Sequence, residues 1–435
     1  MNDFWNHISR ARWFSGKGRG GELAEVTALD WLAEPRPGRP GVRSEIATVR
    51  YPDGSVEFYQ LLVSYRPEPL SPESVIGPAS DGHAFGIAHD ATRDTEAMRL
   101  VVAALLSNAD TPSWQAVVNE TVEGDLTPKL FTGEQSNSNV MLGDAALLKV
   151  FRKLEPGHNL DIQVHDALGR AGVHAVARLL GWMSASVPTL GGGEGVVDLM
   201  MLVEKLPDAE DGWELALEYA RDNRDFSGHS ALLGTALRSI HDALVDTFPT
   251  SQVSGSELAE AMVRRLDVAA LAAPALADHR DGLVRLFRRL DGQRLRAQRI
   301  HGDFHLGQTL HLRGDSSPDA WRIIDFEGEP MKQMWERVLP DSPWRDVAGM
   351  MRSLSYATSA HADPLGAQAQ AWLAANREAF LSAYAGSPSD QDAAVLAAYE
   401  ADKSVYEVVY ETRNRPDWLP IPLRGITQLI ERTAA

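Results

Sequence analysis

The chain has 435 residues, a formal net charge of −18, 44% hydrophobic and 23% charged residues, and no cysteine. That length predicts two or three subdomains rather than one core, and the missing cysteines exclude disulfides, thiolate zinc sites and a cysteine nucleophile. No apolar run approaches the roughly 18 to 20 residues that span a bilayer, the opening "MNDFWNHISR" lacks the pattern of a signal peptide, and an acidic surface repels nucleic acid and anionic membranes, so the reading is a cytoplasmic protein with no nucleic-acid or membrane partner.

Residues 1–85 read as a β-rich unit. "EIATVRYPDGSVEFYQLLVSY" is two alternating strands around the turn "PDG". The basic, glycine-rich "FSGKGRGG" lacks the GxxxxGK[ST] spacing and a leading strand, and is read as a turn rather than a phosphate loop. Residues 86–205 form an intermediate, mixed segment. "TEAMRLVVAALLSN" has helical spacing, "SNSNVMLGDAALLKVF" reads strand–turn–strand, "NLDIQVHDALGRAG" is a helix with a glycine stop, and "GVVDLMMLVEKL" is a buried strand. Residues 206–435 are mostly helical, with "DGWELALEYARDN", "ALLGTALRSIHDALVDT", "ELAEAMVRRLDVAALA" and "LVRLFRRLDGQRLRAQ" all amphipathic.

One segment interrupts these helices. "RIHGDFHLGQTLHL" collects His301, Asp303, His305 and Gln308, and "WRIIDFEGEP" follows with Asp325. "QTLHL" and "WRIIDF" read as a hairpin that would bring Asp303 and Asp325 together. Such a site suits phosphoryl transfer: Asp303 takes the proton of an attacking hydroxyl, and the oxygens of Gln308 and Asp325 hold Mg²⁺ against ATP. His301 is expected to brace the loop and to approach the substrate. A metal hydrolase using "HGDFH", and a hairpin with incidental histidines, stay open on this segment alone, although Gly302 and the strand-like flanks argue against the helix that zinc-binding histidine pairs at i, i+4 prefer. Upstream, Lys149 stands in the apolar strand "ALLKVF", where a lysine needs a partner. Asp161 is the candidate, with Gln163 as alternative. Ser136 and Asn137 would arch over phosphates, and backbone groups near Val203 and Glu204 would hold adenine.

Together, "HGDFHLGQTL", "IIDFEGEP", "DSPWRDVAGMMRS", "YETRNRPDWLPIPLRGI", "RARWFSGKGR" and "EQSNSNV…LLKVFRKL" resemble the actinobacterial maltokinases and their relatives the glucosamine kinases, over nearly the whole chain. The resemblance implies an α+β, eukaryotic-protein-kinase-like (aminoglycoside phosphotransferase-like) bilobal fold with an N-terminal β-rich cap subdomain. It implies ATP and Mg²⁺ as cofactors, Asp303 as base, Gln308 and Asp325 as metal ligands, and Lys149 on the ATP phosphates. Gln308 stands where aminoglycoside phosphotransferases have Asn, and matches the maltokinase branch. Gln163 stands where maltokinases have Glu, which leaves Asp161 to Lys149.

The acceptor is expected on the helix "DKSVYEVVYETRNRPDW", where Lys403, Glu407, Tyr410, Glu411 and Asn414 share one face. Arg345 and Trp418 are added as substrate contacts. Trp335 and Trp344, the latter a Leu in maltokinases, are read as narrowing the pocket to a monosaccharide. The acids near Asp303 suit an amino sugar, with its ammonium at Glu407 or Glu411. The expectation is therefore a monomeric kinase making glucosamine 6-phosphate, with maltose phosphorylated at its anomeric hydroxyl as the alternative. An aminoglycoside phosphotransferase or a non-catalytic pseudokinase is further off, because Lys149, Asp303, Gln308 and Asp325 are all present.

Overall fold

A computed structural model describes residues 2–79, 86–131, 137–188, 194–314, 317, 319–329 and 334–434, the side chains of Pro188, Glu194, Met334, Trp335 and Ala434 excepted. Ser136 therefore lies outside the described residues, as does the Trp335 side chain. The chain divides into two compact units, Met1–Asp166 with Ala177–Pro207, and Ala167–Val176 with Asp208–Ala435. Among the described residues no helix is long and apolar enough to cross a membrane.

The first unit is built on two antiparallel sheets. The hairpin forms from strands Gly41–Arg50 and Val56–Arg66, in register from Arg50↔Val56 to Gly41↔Tyr65. Gly54 takes the positive φ of 83° that closes its turn. Glu22–Ala28, Ile87–Asp90 and Val75–Pro78 complete that sheet. Helix Asn2–Arg10, absent from the sequence reading, buries Phe4 and Ile8 in the cluster around Phe14, Tyr59, Leu61 and Val63. The second sheet runs in the order Trp114–Val118, Leu179–Pro188, Glu194–Glu204, Ala146–Val150, Ser138–Leu142, Pro128–Leu130. Helix Thr95–Leu106 packs Met98, Val101 and Leu105 into its core, and its N-terminus is capped by the Asp94 carboxylate, which accepts from the Ala97 N–H at 3.1 Å.

Buried polar groups join the two sheets. The Gln60 amide donates to the carbonyls of Phe151 and Leu199, each at 2.8 Å. Arg152, 1% exposed, donates to both carboxylate oxygens of Asp90 at 2.9 and 3.0 Å and to Ser138 Oγ at 2.8 Å. The first sheet thus grips the segment that follows the Lys149 strand, since a buried guanidinium must be paired to be tolerated.

The second unit holds helices Ser227–Thr247, Gly255–Ala272, Trp344–Ala357, Ala367–Ala385, Asp390–Asn414 and Pro420–Ala434 and a small sheet of Ala209–Asp211, Thr309–Leu312 and Trp321–Ile323, against which Gly212–Arg221 and Ser227–Thr247 pack. The expected hairpin forms, with Thr309 opposite Ile323. "LVRLFRRLDGQRLRAQ" is not one helix. Helix Arg280–Arg288 ends before Gly292 (φ 74°), and Arg294–Ala297 is a strand paired with Ser251–Ser254.

The sheet's inner side carries an aromatic–histidine cluster. The His229 and His311 rings meet at 4.9 Å, and both face Trp321. Burial first, then the neighbouring His311 and Arg224, pushes His229 down to about 4. The folded state therefore favours neutral His229, and this contribution is complete above pH 6.5 and is lost as pH falls through that value toward about 4. Thermal denaturation between pH 7 and 4 should show wild-type protein losing up to about 3 kcal/mol more than His229→Gln.

Candidate active site

The loop carrying Asp303 is held from behind by one buried carboxylate. Asp346, on helix Trp344–Ala357 and 1% exposed, accepts the N–H groups of His301 (2.8 Å) and Gly302 (2.9 Å) and contacts His241 Nε2 at 3.0 Å. Burial opposes its charge, but these donors win and hold its carboxyl below the usual range. His301 Nε2 lies 2.9 Å from the Ile324 carbonyl, so it carries the proton, and Nδ1 accepts the Asp303 N–H at 3.3 Å. His301 is 1% exposed with both nitrogens engaged. It braces the loop and, contrary to the sequence reading, offers nothing to a substrate.

Two glycines permit this packing. Gly302 has φ 89°, and a Cβ on Gly349 would stand 2.3 Å from the Phe304 carbonyl oxygen. The loop therefore lies directly on the helix that supplies Asp346. Gly349→Ala should shift the loop and lower kcat at least tenfold with the secondary structure intact, as steady-state kinetics and circular dichroism would show.

Asp303 faces solvent in part. Its Oδ1 is 4.0 Å from Lys403 Nζ and its Oδ2 3.9 Å from His305 Nε2. His305 Nδ1 accepts the Gly307 N–H at 3.1 Å, which places the ring proton on Nε2. Burial lowers the His305 pKa against the pull of Asp303, so the ring is neutral at pH 7. The hairpin brings Gln308 and Asp325 together: the Gln308 amide nitrogen donates to Asp325 Oδ2 at 3.2 Å, leaving its oxygen as a ligand atom. Asp325 has φ +69°, uncommon for a non-glycine residue and a feature that clusters at functional sites. Carboxylate oxygens of Asp325 and Glu327 lie within 4.8 Å of one another. An amide oxygen with two carboxylates is the donor set that Mg²⁺ takes. Glu327 was missed in the sequence, although its i+2 spacing from Asp325 was a usable signal.

In the first unit, Lys149 Nζ donates to Asp161 Oδ2 at 2.8 Å. Asp161 is 3% exposed. Burial alone would raise its pKa, but Lys149 and His165 more than reverse that and hold it far below the usual range. Gln163 instead donates to the His158 carbonyl. Asn137 accepts the Arg152 N–H at 3.3 Å, at the edge of the Lys149 strand. Val203 is paired on both sides, with Leu147 and Leu179. The Glu204 N–H donates to the Arg178 carbonyl at 2.9 Å and its carboxylate accepts from Arg178. The Glu204 N–H is thus not available to adenine, a correction to the sequence reading.

A cavity of about 750 Å³ opens beside Asp303, lined by Lys403, Glu407, Tyr410, Glu411 and Trp418 as the helical spacing suggested. It is also lined by Trp213, Glu214 and Tyr406, which the sequence reading missed because Trp213 and Glu214 lie on a helix remote in the chain. Glu407 Oε2 accepts from Arg352 Nε (3.0 Å) and Nη2 (2.7 Å). Glu411, 1% exposed, accepts from Arg415 at 2.9 and 3.0 Å and from Tyr356 at 3.1 Å. Glu411 thus has both oxygens occupied and is not a ready partner for an ammonium, whereas Glu407 is charge-paired through Oε2 alone and still lines the cavity. Arg345 lines a neighbouring cavity of about 1050 Å³, which Asp303 and Lys403 also line, and is bound by Asp341 and Glu329. Trp344 narrows neither cavity. It is buried against Tyr384, with its indole N–H on Asp392 at 2.8 Å. Asn414 faces outward, its amide on the Tyr410 carbonyl.

Residues 7–94 match the maltokinase N-terminal cap domain. The chain is 28% identical over 386 residues to a glucosamine kinase of Streptacidiphilus jiangxiensis, covering 80% of this chain and 84% of that one. It is 27% identical over 348 residues to a glucosamine kinase of Mycolicibacterium smegmatis, covering 73% and 82%. A solved glucosamine kinase in complex with glucosamine, ADP and inorganic phosphate superposes with a TM-score of 0.71 at 22% identity, over 98% of each chain. This chain has the glucosamine-kinase fold. The α+β, protein-kinase-like architecture with an N-terminal cap, expected from the motifs, is therefore present.

Asp346 supplies a test of the brace. Asp346→Ala leaves two N–H donors without a partner inside the protein, and should cost about 3 to 5 kcal/mol in chemical denaturation. Loss below about 1 kcal/mol would show that the loop is held by something else.

Proposed function

We propose that the protein is an ATP-dependent sugar kinase that converts glucosamine to glucosamine 6-phosphate. The observation carrying this reading is Asp303 on a braced loop, next to the Gln308–Asp325 pair on one side and an aromatic, acid-rich cavity on the other. The relatives named above, and the glucosamine and ADP bound by the solved one, favour the same reading.

In this mechanism the sugar 6-hydroxyl lies on Asp303, which accepts its proton as the oxygen bonds to the γ-phosphorus. The bond from that phosphorus to the β–γ bridging oxygen breaks, ADP departs and the proton passes to solvent. Lys403 and neutral His305 flank the carboxylate and orient it. Lys149, kept in place by Asp161, contacts the nucleotide phosphates. Gln308, Asp325 and Glu327 would hold Mg²⁺, which when bound neutralises charge developing on the phosphates.

Maltose remains the second reading on two observations: the cap is of the maltokinase type, and Trp344 does not narrow the cavity. An acceptor screen with ATP and Mg²⁺ over glucosamine, glucose, maltose and aminoglycosides decides between them by kcat/KM. Asp303→Asn should keep nucleotide binding, measured by calorimetry, and lose roughly 10² to 10⁴-fold in kcat. EDTA should abolish turnover, and Mg²⁺ or Mn²⁺ without zinc should restore it.

A further inference from the structure

The cavity beside Asp303 does not treat its acids alike. Five carboxylates line it, from Asp211, Glu214, Asp303, Glu407 and Glu411. Three cations line it with them, Arg352, Lys403 and Arg415. Arg352 is spent on Glu407, Arg415 on Glu411, and Lys403 stands 4.0 Å from Asp303. His305, the imidazole in the same wall, is neutral by burial. Two acids are left. Asp211 caps helix Gly212–Arg221, its Oδ1 accepting the N–H groups of Trp213 (2.9 Å) and Glu214 (3.0 Å). The Glu214 carboxylate alone has no hydrogen-bond or ion-pair partner among the described residues, and it is exposed to the cavity.

We infer that Glu214 is the residue that selects an amino sugar, by accepting a charge-assisted hydrogen bond from the ammonium of the acceptor. The inference rests on the glucosamine reading and deepens it. An ammonium entering the cavity loses water and needs an anion with free lone pairs. Glu411 has both oxygens on Arg415, the charge of Glu407 is matched by Arg352 at Oε2, and Asp303 must receive the reacting hydroxyl. Trp213, the neighbour of Glu214 in the same wall, offers a flat apolar face to the pyranose ring. Asp211 ties down the backbone N–H groups of both residues, which fixes where the two side chains leave the helix.

The experiment compares wild type, Glu214→Gln and Glu214→Asp on glucosamine and glucose, with competitive inhibition constants for a sugar that is not turned over. Glu214→Gln should lower the preference for glucosamine over glucose by about ten- to a hundredfold, through KM rather than kcat. Glu214→Asp should retain part of that preference, and the KM for ATP and the thermal midpoint should stay at wild-type values. A Glu214→Gln enzyme that keeps its full preference, or that loses equally on both sugars, overturns the assignment while leaving the kinase reading intact. A wild-type enzyme that binds and phosphorylates no glucosamine overturns the substrate reading, and this assignment falls with it.

Discussion

The hold of Asp346 on the backbone of His301 and Gly302 is the constraint on which the site depends. The loop presents Asp303 to solvent while Phe304 and Leu306 beside it are buried, and its backbone just before Asp303 is held by a buried anion. That anion is tolerable because three groups point at it: two loop N–H groups and the His241 ring, which Tyr384 in turn contacts at 2.9 Å. The same carboxylate therefore ties helices Ser227–Thr247 and Trp344–Ala357 to the loop. His301 extends the brace to the Ile324 carbonyl, one residue before Asp325. Asp303 and the strand end that carries Asp325 are thereby positioned by one connected network.

The charge distribution follows the same logic. Acids on helix Asp390–Asn414 that approach the core are matched: Glu400 with Arg377, Glu407 with Arg352, and Glu411 with Arg415. Each pair offsets a desolvation cost that either partner alone would impose. Matching these acids frees the cavity from an undirected negative field and leaves recognition to a few groups at defined places. In the first unit Lys149 and Asp161 obey the same rule, and the buried Arg152–Asp90 pair fixes the cap sheet to the segment that follows.

Much of this could be read from the chain because the signals were local. Alternation around "PDG" specifies a hairpin. A lysine inside an apolar strand requires an acid within reach, and Asp161 is at the start of the next helix. The spacing of Asp303, Gln308 and Asp325 around a turn-rich linker specifies a hairpin with three oxygen donors at one end. Composition and lack of cysteine removed whole classes of chemistry. These conclusions depend on backbone periodicity and on the cost of burying unpaired charge, which act over a few residues.

Tertiary structure decided what depends on residues far apart in sequence. Spacing put Glu407 and Glu411 on the right helix face, but only the fold brought Arg352 beside Glu407, and an ion pair offsets the charge that would draw an ammonium. Trp344 resembled a pocket wall until packing turned its indole toward Asp392. Glu214 carried no signal at all, because an acid in a helix's first turn is ordinary by itself. It gains meaning only as the unmatched charge in a wall assembled from helices and loops some two hundred residues apart. The sequence by itself determined the fold and the candidate groups of the site; which acid stands unmatched in the cavity is set by where the arginines end up.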